Sequence, residues 1–452
     1  MATDHLAELG TALTPRAASE VICHHGADRV VTVGAFLAEV AAVAARLPAH
    51  GYAVNLCADR YLALVGFAAA LLRGHPTLLG GGPGAPPAFL RMLAAHYPAA
   101  YAMTDASLPE AVLPACRVDG PLPAPGAALP PLPAIPHGRI AAIAFTSGST
   151  GAPTAHPKPW GALVAGAEAA AARFGLRHQD GPPTSIVATV PPQHMYGFET
   201  TMMLPLRAAV AIHAGATFFP SDVLDALGLV PAPRLLITTP VHLRALLGQA
   251  RPMCPPDAVI SATAPLLREM AEAVERDWGA AMLEIYGATE AGSMASRRLV
   301  EDDTWLPYAG VQVLPGTALV PGIGAVALSD AVEPVGGGRF RLLGRLSDVV
   351  KLGGKRASLA ELNRILGAVP GVVDSVLVPP EDIESNPSAR LTAYVVAPGC
   401  APDDILGALR GRLDPVFLPR RMVMVQRLPR DGLGKLPHQA LAAIGRANSG
   451  KA

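Results

Sequence analysis

A short apolar stretch, Ile140–Thr146, runs straight into Ser147-Gly-Ser-Thr-Gly151, and no other feature constrains the fold of this chain as much. An apolar run of strand length closed by glycines reads as a strand buried on both faces, the kind found in parallel sheets covered by helices. Glycine lets backbone N–H groups converge, so Thr146, Ser147, Gly148, Ser149, Thr150 and Gly151 together suit an oxyanion such as a phosphate. Taken alone, the loop also reads as a plain Ser/Gly turn. No Gly-Lys-Ser or Gly-Lys-Thr follows, which excludes a Walker loop. Prolines up to Pro159 keep the loop from opening directly into a helix, and an Ala-rich helix is expected only at 161–174.

The rest of the chain alternates in the same way. Helical spacing over 33–47 is followed by an apolar run at 53–57, and strand and helix patterns continue through 185–190, 241–247, 258–262 and 270–278. The stretch 121–136 carries seven prolines and is expected to cross the surface. After Arg345 the pattern changes. Ser358 with Glu361 forms a capping box for a short helix, 372–378 and 391–397 read as strands, 405–413 as a helix and 422–425 as a last strand. The expected organisation is α/β: a large domain of mixed sheets flanked by helices at 1–344, then a small α+β domain at 345–452.

Composition narrows the partners. Of the 452 residues 51% are hydrophobic and only 16% charged, against about 25% charged in ordinary domains, so the chain buries extensively. Its formal net charge of zero gives no field to attract nucleic acid. The apolar run 61–72 lies between Arg60 and Arg73 and falls short of the ~20 residues that cross a bilayer. With no secretory signal pattern in Met1-Ala-Thr-Asp-His, a cytoplasmic location is expected. Cys23, Cys57, Cys116, Cys254 and Cys400 are scattered and read as reduced core residues. Cys23-His24-His25 lacks the second cluster that a metal site needs.

Three further segments carry chemistry. Tyr286-Gly287-Ala288-Thr289-Glu290 follows a strand expected at 282–285, placing an aromatic ring, a hydroxyl and a carboxylate at a strand end, where open α/β sheets bind ligands. Glu290 is a hard oxygen ligand suited to Mg²⁺, and Thr289 can reach a phosphate. By itself this segment also reads as a capped helix start. Arg339-Phe-Arg-Leu-Leu-Gly-Arg345-Leu-Ser347-Asp348 and Leu428-Pro-Arg-Asp-Gly-Leu-Gly-Lys435 complete the set, the last presenting a cation on a Gly-flanked turn.

In this order the four segments resemble the adenylate-forming superfamily: acyl-CoA synthetases, luciferase-like enzymes and adenylation domains of peptide synthetases. The resemblance spans roughly residues 30 to 440 and implies an ATP-dependent acid–thiol ligase. It implies that Thr146 to Gly151 close over the β- and γ-phosphates, that Thr289 and Glu290 serve the α-phosphate and Mg²⁺, and that Tyr286 packs on adenine beside Gly287. Asp330 resembles the ribose-binding aspartate and Arg345 the arginine that helps hold that sugar. Lys435 resembles the lysine that bridges acyl carboxylate and α-phosphate. Ser347 falls at the hinge about which the small domain rotates. His194, in Pro191-Pro-Gln-His194-Met-Tyr-Gly197, resembles the histidine beside the acyl pocket, and Ser261, Ala262, Thr263 and Ala264 resemble the turn that lines it.

Departures accompany the match. Thr154 stands where a lysine commonly follows the loop, with Lys158 further on; Ser329 stands where glycine is frequent, and Ser347 replaces a frequent acid. The segment from Pro153 to Trp160 resembles ligases of aryl polyene and xanthomonadin-type pathways. That resemblance implies a hydroxybenzoate-like acid and the phosphopantetheine thiol of an acyl carrier protein as acceptor, with free CoA as the alternative. An amino-acid adenylation enzyme would need a carboxylate for the substrate amine, for which Ser221-Asp222 is a poor candidate. A P-loop kinase is disfavoured by the missing Walker sequence, and a non-catalytic nucleotide-binding protein would release no pyrophosphate.

Overall fold

Strands with apolar residues on both faces build a nine-stranded sheet in the order Leu306–Pro307, Gly292–Arg297, Ala281–Ala288, Ala258–Ser261, Arg234–Thr238, Thr184–Ala188, Val210–His213, Val21–His25, Arg29–Thr32. Its six central strands, from Ala281–Ala288 to Val21–His25, are mutually parallel, and the edges are closed by antiparallel strands. The computed structural model describes residues 10–26, 29–108, 112–119, 132–146, 154–176, 181–215, 217–249, 251–345, 349–352, 355–379, 390–429 and 436.

A second sheet has six strands, ordered Thr154–Pro159, Ile140–Thr146, Thr77–Leu78, Tyr52–Asn55, Ala100–Thr104, Ala115–Arg117. The expected strand Ile140–Thr146 is therefore present. The proline-punctuated segment after the loop is itself a strand, paired antiparallel with Ile140–Thr146 in the register Thr154↔Thr146. Pro157 and Pro159 are tolerated because this is an edge strand, with one side free of ladder bonds. The expected surface crossing ends differently too: Ile135–Pro136 pairs with Gly10–Thr11, and Ile135 is buried.

One core joins residues of both sheets with helices Val33–Arg46, Arg60–Leu72 and Trp160–Arg173. Arg60–Leu72 is apolar all round because it is covered all round, which is the condition of a helix inside a layered core. Leu64, Phe67 and Leu71 each contribute about 2 kcal/mol by burial. Asp59 caps this helix by accepting from the Leu62 amide at 2.9 Å, and Thr32 caps Val33–Arg46. Among the described residues no helix is long and apolar enough to cross a membrane. Of the cysteines, only Cys23 and Cys57 are core residues; Cys116, Cys254 and Cys400 are half-buried, Cys116 because it lies on the edge strand Ala115–Arg117.

The chain divides into two compact units: residues 1–313, 317–326 and 335–340 in the first; 314–316, 327–334 and 341–452 in the second. In the second, strand Asp374–Val378 runs antiparallel to Thr392–Val396, which is parallel to Arg421–Met424. Helices Leu359–Gly367 and Pro402–Arg410 supply Leu362, Leu366, Ile405 and Leu409 to its core. The latter helix begins earlier than the sequence pattern indicates because Pro402 occupies its first turn, where a missing N–H is harmless.

Candidate active site

Parallel strands present their carboxyl ends on one edge of a sheet, and here two neighbours end in hydroxyl-bearing residues, Thr238 and Ser261, while Thr189 and Thr289 directly follow the strands on either side. Thr238 lies opposite Ser261, and Ser261 opposite Glu284, on adjacent strands. Thr189 and Thr238 share a hydrogen bond of 3.0 Å. Thr289 and Glu290 follow the end of Ala281–Ala288, so they stand on the same rim as Ser261 to Ala264, in the crevice position of an open α/β sheet. The Ser261 hydroxyl is buried with no hydrogen-bond partner among the described residues. Thr263, exposed, takes φ +78°, an uncommon conformation for a β-branched residue.

The strand expected at 282–285 runs on through Tyr286, Gly287 and Ala288 and turns back as Gly292–Arg297, so no helix starts at Glu290. The reason is local: the register shifts after Tyr286, and a Cβ on Gly287 would lie 2.5 Å from the Gly292 carbonyl oxygen. Tyr286 is buried against Trp305 and Phe340, at ring separations of 5.7 and 5.8 Å. Arg297 sits over Trp305 at 4.5 Å and forms a buried ion pair of 2.6 Å with Glu284.

His194 heads the helical segment Met195–Phe198. Gly197 permits the tight turn before it, since a Cβ there would come within 2.0 Å of the Pro191 carbonyl oxygen. Tyr196 donates to the Ile260 carbonyl at 2.9 Å, fixing this segment beside the strand that ends at Ser261. Arg60, fully buried, donates to the carbonyls of Ala188 and Val190 at 2.7 and 2.8 Å, and burial pulls its pKa down to about 10. It thus anchors the strand end from which the His194 segment departs.

Sequence reasoning did not see the next cluster. Lys158, 1% exposed, donates from Nζ to the Glu290 carbonyl oxygen at 2.6 Å. Burial lowers its pKa to about 8, against the opposing pull of Glu199 and Glu290. The Glu199 carboxylate accepts from the Ser293 amide at 3.0 Å and the Ser293 hydroxyl at 2.5 Å, and burial raises its pKa. Both ends of the Glu290 hairpin are therefore gripped by buried charged groups. A lone acid within the otherwise uncharged 195–206 was the available signal. Next to the loop, Thr146 and His156 share a hydrogen bond of 2.9 Å.

Ser147, Gly148, Ser149, Thr150, Gly151, Ser347 and Lys435 lie outside the described residues, as does the side chain of Arg345. Asp330 opens the strand Asp330–Gly336 and belongs to the second unit. Among the described residues no group of three His, Cys, Asp or Glu could hold a metal ion. Glu290 offers one carboxylate and Thr289 one hydroxyl, hard oxygen donors of the kind Mg²⁺ takes when water and other oxygens complete its shell.

Residues 11–320 match the AMP-binding enzyme family, and the chain belongs to it. It is an adenylate-forming acid–thiol ligase that uses ATP. A 4-coumarate–CoA ligase of Rhodobacter capsulatus is 30% identical over 299 residues, 65% of this chain and 74% of that protein. A 4-chlorobenzoate–CoA ligase of Pseudomonas sp. is 27% identical over 370 residues, 70% of this chain and 67% of that protein. Among solved structures, ATP-bound MatB from Rhodopseudomonas palustris superposes with TM-score 0.78 at 20% identity, covering 96% of this chain and 97% of that one. The amide bond synthetase McbA from Marinactinospora thermotolerans gives TM-score 0.75 at 18% identity, covering 94% and 97%. Both superpositions confirm the fold expected from the sequence.

Proposed function

We propose that this ligase activates a small aryl acid of the hydroxybenzoate kind as its acyl-adenylate, releases pyrophosphate, and passes the acyl group to the phosphopantetheine thiol of an acyl carrier protein. The observation that carries the adenylation step is the rim of hydroxyls at neighbouring strand ends, with Thr289 and Glu290 just after one strand and Ser261 to Ala264 at the end of the next. A carboxylate and an α-phosphate must meet there in line, and their mutual repulsion has to be offset by cations.

In this reading Lys435 supplies a mobile ammonium between the two anions, and Thr289 donates to the α-phosphate. Mg²⁺, held through Glu290, supplies charge neutralisation on the phosphates when bound. Residues 146–151 hold the β- and γ-phosphates, Asp330 and Arg345 hold the ribose, and Tyr286 with Gly287 borders adenine. His194 stands beside the acyl pocket, where an imidazole gates thiol entry. Rotation of domain 345–452 against domain 1–344 about Ser347 exchanges the lysine for the thiol.

The carrier protein rests on the likeness of 153–160 to pigment-pathway ligases. Free CoA is the second reading, favoured by relatives named 4-coumarate–CoA and 4-chlorobenzoate–CoA ligase. Hydroxylamine trapping with ATP, Mg²⁺ and a panel of aryl, fatty and amino acids tests the first half. Holo-carrier protein and CoA offered side by side, with mass analysis of both products, test the second. Trapping of amino acids alone would overturn the reading.

A further inference from the structure

The helical segment headed by His194 does not stop at Phe198. It passes directly into a π-turn, Glu199–Met203, a rare form of helix found frequently at functional sites. Thr200 and Thr201 donate back to the carbonyls of Tyr196 and Gly197 at 2.7 and 2.6 Å, which fixes Glu199 to the turn that His194 heads. The Glu199 carboxylate then crosses to the other segment that carries site residues. Oε1 accepts from the Ser293 amide at 3.0 Å and Oε2 from the Ser293 hydroxyl at 2.5 Å. Gly292 makes this approach possible: its φ is +82°, and a Cβ there would lie 2.6 Å from Glu199 Oε1. Little chain separates Ser293 from the site. Ala288 pairs with Gly292, so only Thr289, Glu290 and Ala291 form the turn between them, and Lys158 holds the Glu290 carbonyl within it. Lys158, Glu199 and Ser293 line one small cavity together with Tyr308.

We propose that Glu199 is a positioning residue of the ligase: its carboxylate locks the turn that carries Thr289 and Glu290 against the segment headed by His194, and so holds the acid and Mg·ATP in line for adenylation. The inference rests on the roles proposed for those two segments and adds the group that sets their separation. A carboxylate suits the task because it only accepts. Ser293 presents two donors from one residue, so both oxygens are used and the turn is held in two directions at once. Apolar packing, being non-directional, would resist sliding less. Small errors matter here, since about 1 Å of misplacement between reacting groups costs about 10²-fold in rate.

The experiment takes the full chain with Glu199→Met, Glu199→Gln and Ser293→Ala, and reads acid-dependent ATP–pyrophosphate exchange beside calorimetric binding of Mg·ATP. Glu199→Met is expected to lower kcat about 10²-fold, while the Kd for Mg·ATP and the KM for the acid change by less than about threefold. Glu199→Gln keeps an acceptor for the Ser293 amide and is expected to restore kcat to within about tenfold of the wild type. Ser293→Ala alone should cost about tenfold, and should cost nothing further within Glu199→Met, because the link is already broken. A residue that only supports the fold would lower the melting temperature and leave kcat per folded molecule intact. That result, or additive losses in the double variant, overturns the proposal. If Glu199→Met does not fold, Glu199→Gln, Ser293→Ala and their double variant carry the same cycle. If no aryl acid supports exchange in the wild type, the substrate reading fails separately, before any variant is compared. Amide hydrogen exchange then decides the role of Glu199 without an acid: Mg·ATP should slow exchange over 194–199 in the wild type and not in Glu199→Met or Ser293→Ala. Slowing that persists in the variants, or is absent from the wild type, overturns the link.

Discussion

Lys158 Nζ donates to the carbonyl oxygen of Glu290 at 2.6 Å across 132 residues of chain, tying the edge strand Thr154–Pro159 to the turn that carries Thr289 and Glu290. The ammonium is thereby engaged with backbone, and in the proposed reaction Lys158 then positions that turn instead of touching phosphate. A charge-assisted bond of this kind is worth about 1.5–3 kcal/mol. Lys158→Met should therefore lower kcat for acid-dependent ATP–pyrophosphate exchange about 10- to 100-fold, with a smaller change in the KM for ATP. A rise in that KM with kcat intact would show a direct phosphate contact instead.

The same lysine makes stability depend on pH in a defined direction. Burial lowers its pKa from 10.5 to about 8, so the unfolded chain holds the proton to higher pH than the folded one. Between those values unfolding takes up a proton, and the folded state gains stability as pH rises. Below about 8 both states are protonated and the burial penalty stands in full. Relative to Lys158→Met, the wild type should gain up to a few kcal/mol across this window. Chemical denaturation of both proteins at pH about 7.5 and about 10 measures the difference; no change would mean that Lys158 does not titrate in the window.

Local chemistry was legible in the sequence where it was written locally. Ile140–Thr146 announced itself as a buried strand, and Tyr286-Gly-Ala-Thr-Glu290 as a strand end, because each signal fits within a few residues. Thr154–Pro159 escaped, since two prolines argue against a strand until its place at the sheet edge is known. The trio Lys158, Glu199 and Tyr308 escaped for a different reason. Residues so far apart share a cavity only through tertiary packing, and the buried hydroxyl of Tyr308 looks like any tyrosine in the sequence.

Lys435 carries the proposed reaction more than any other residue, and its test is direct. If its ammonium offsets the repulsion between carboxylate and α-phosphate, Lys435→Ala should depress acid-dependent ATP–pyrophosphate exchange about 10²- to 10³-fold. Transfer from a supplied acyl-adenylate to the thiol, a step after the two anions have joined, should fall far less. Equal loss in both half-reactions would assign Lys435 to the fold or to thiol transfer rather than to adenylation.

Thr263 offers a test of strain on the same rim. A β-branched residue at φ +78° meets its own backbone, a conformation costing about 1–3 kcal/mol, and glycine would relieve it. Glycine also adds freedom to the unfolded chain, which offsets roughly 0.5–1 kcal/mol of the gain. Thr263→Gly should therefore leave the enzyme as stable or up to about 2 kcal/mol more stable, whereas Thr263→Ala, which keeps a Cβ, should stabilise far less. If Thr263 lines the acyl site as proposed, the glycine variant should also raise the KM for the acid more than that for ATP, through loss of a fixed wall. Denaturation curves give the first result and steady-state kinetics the second. A destabilised glycine variant with unchanged KM for the acid would show that the threonine is held there by packing and has no part in substrate binding.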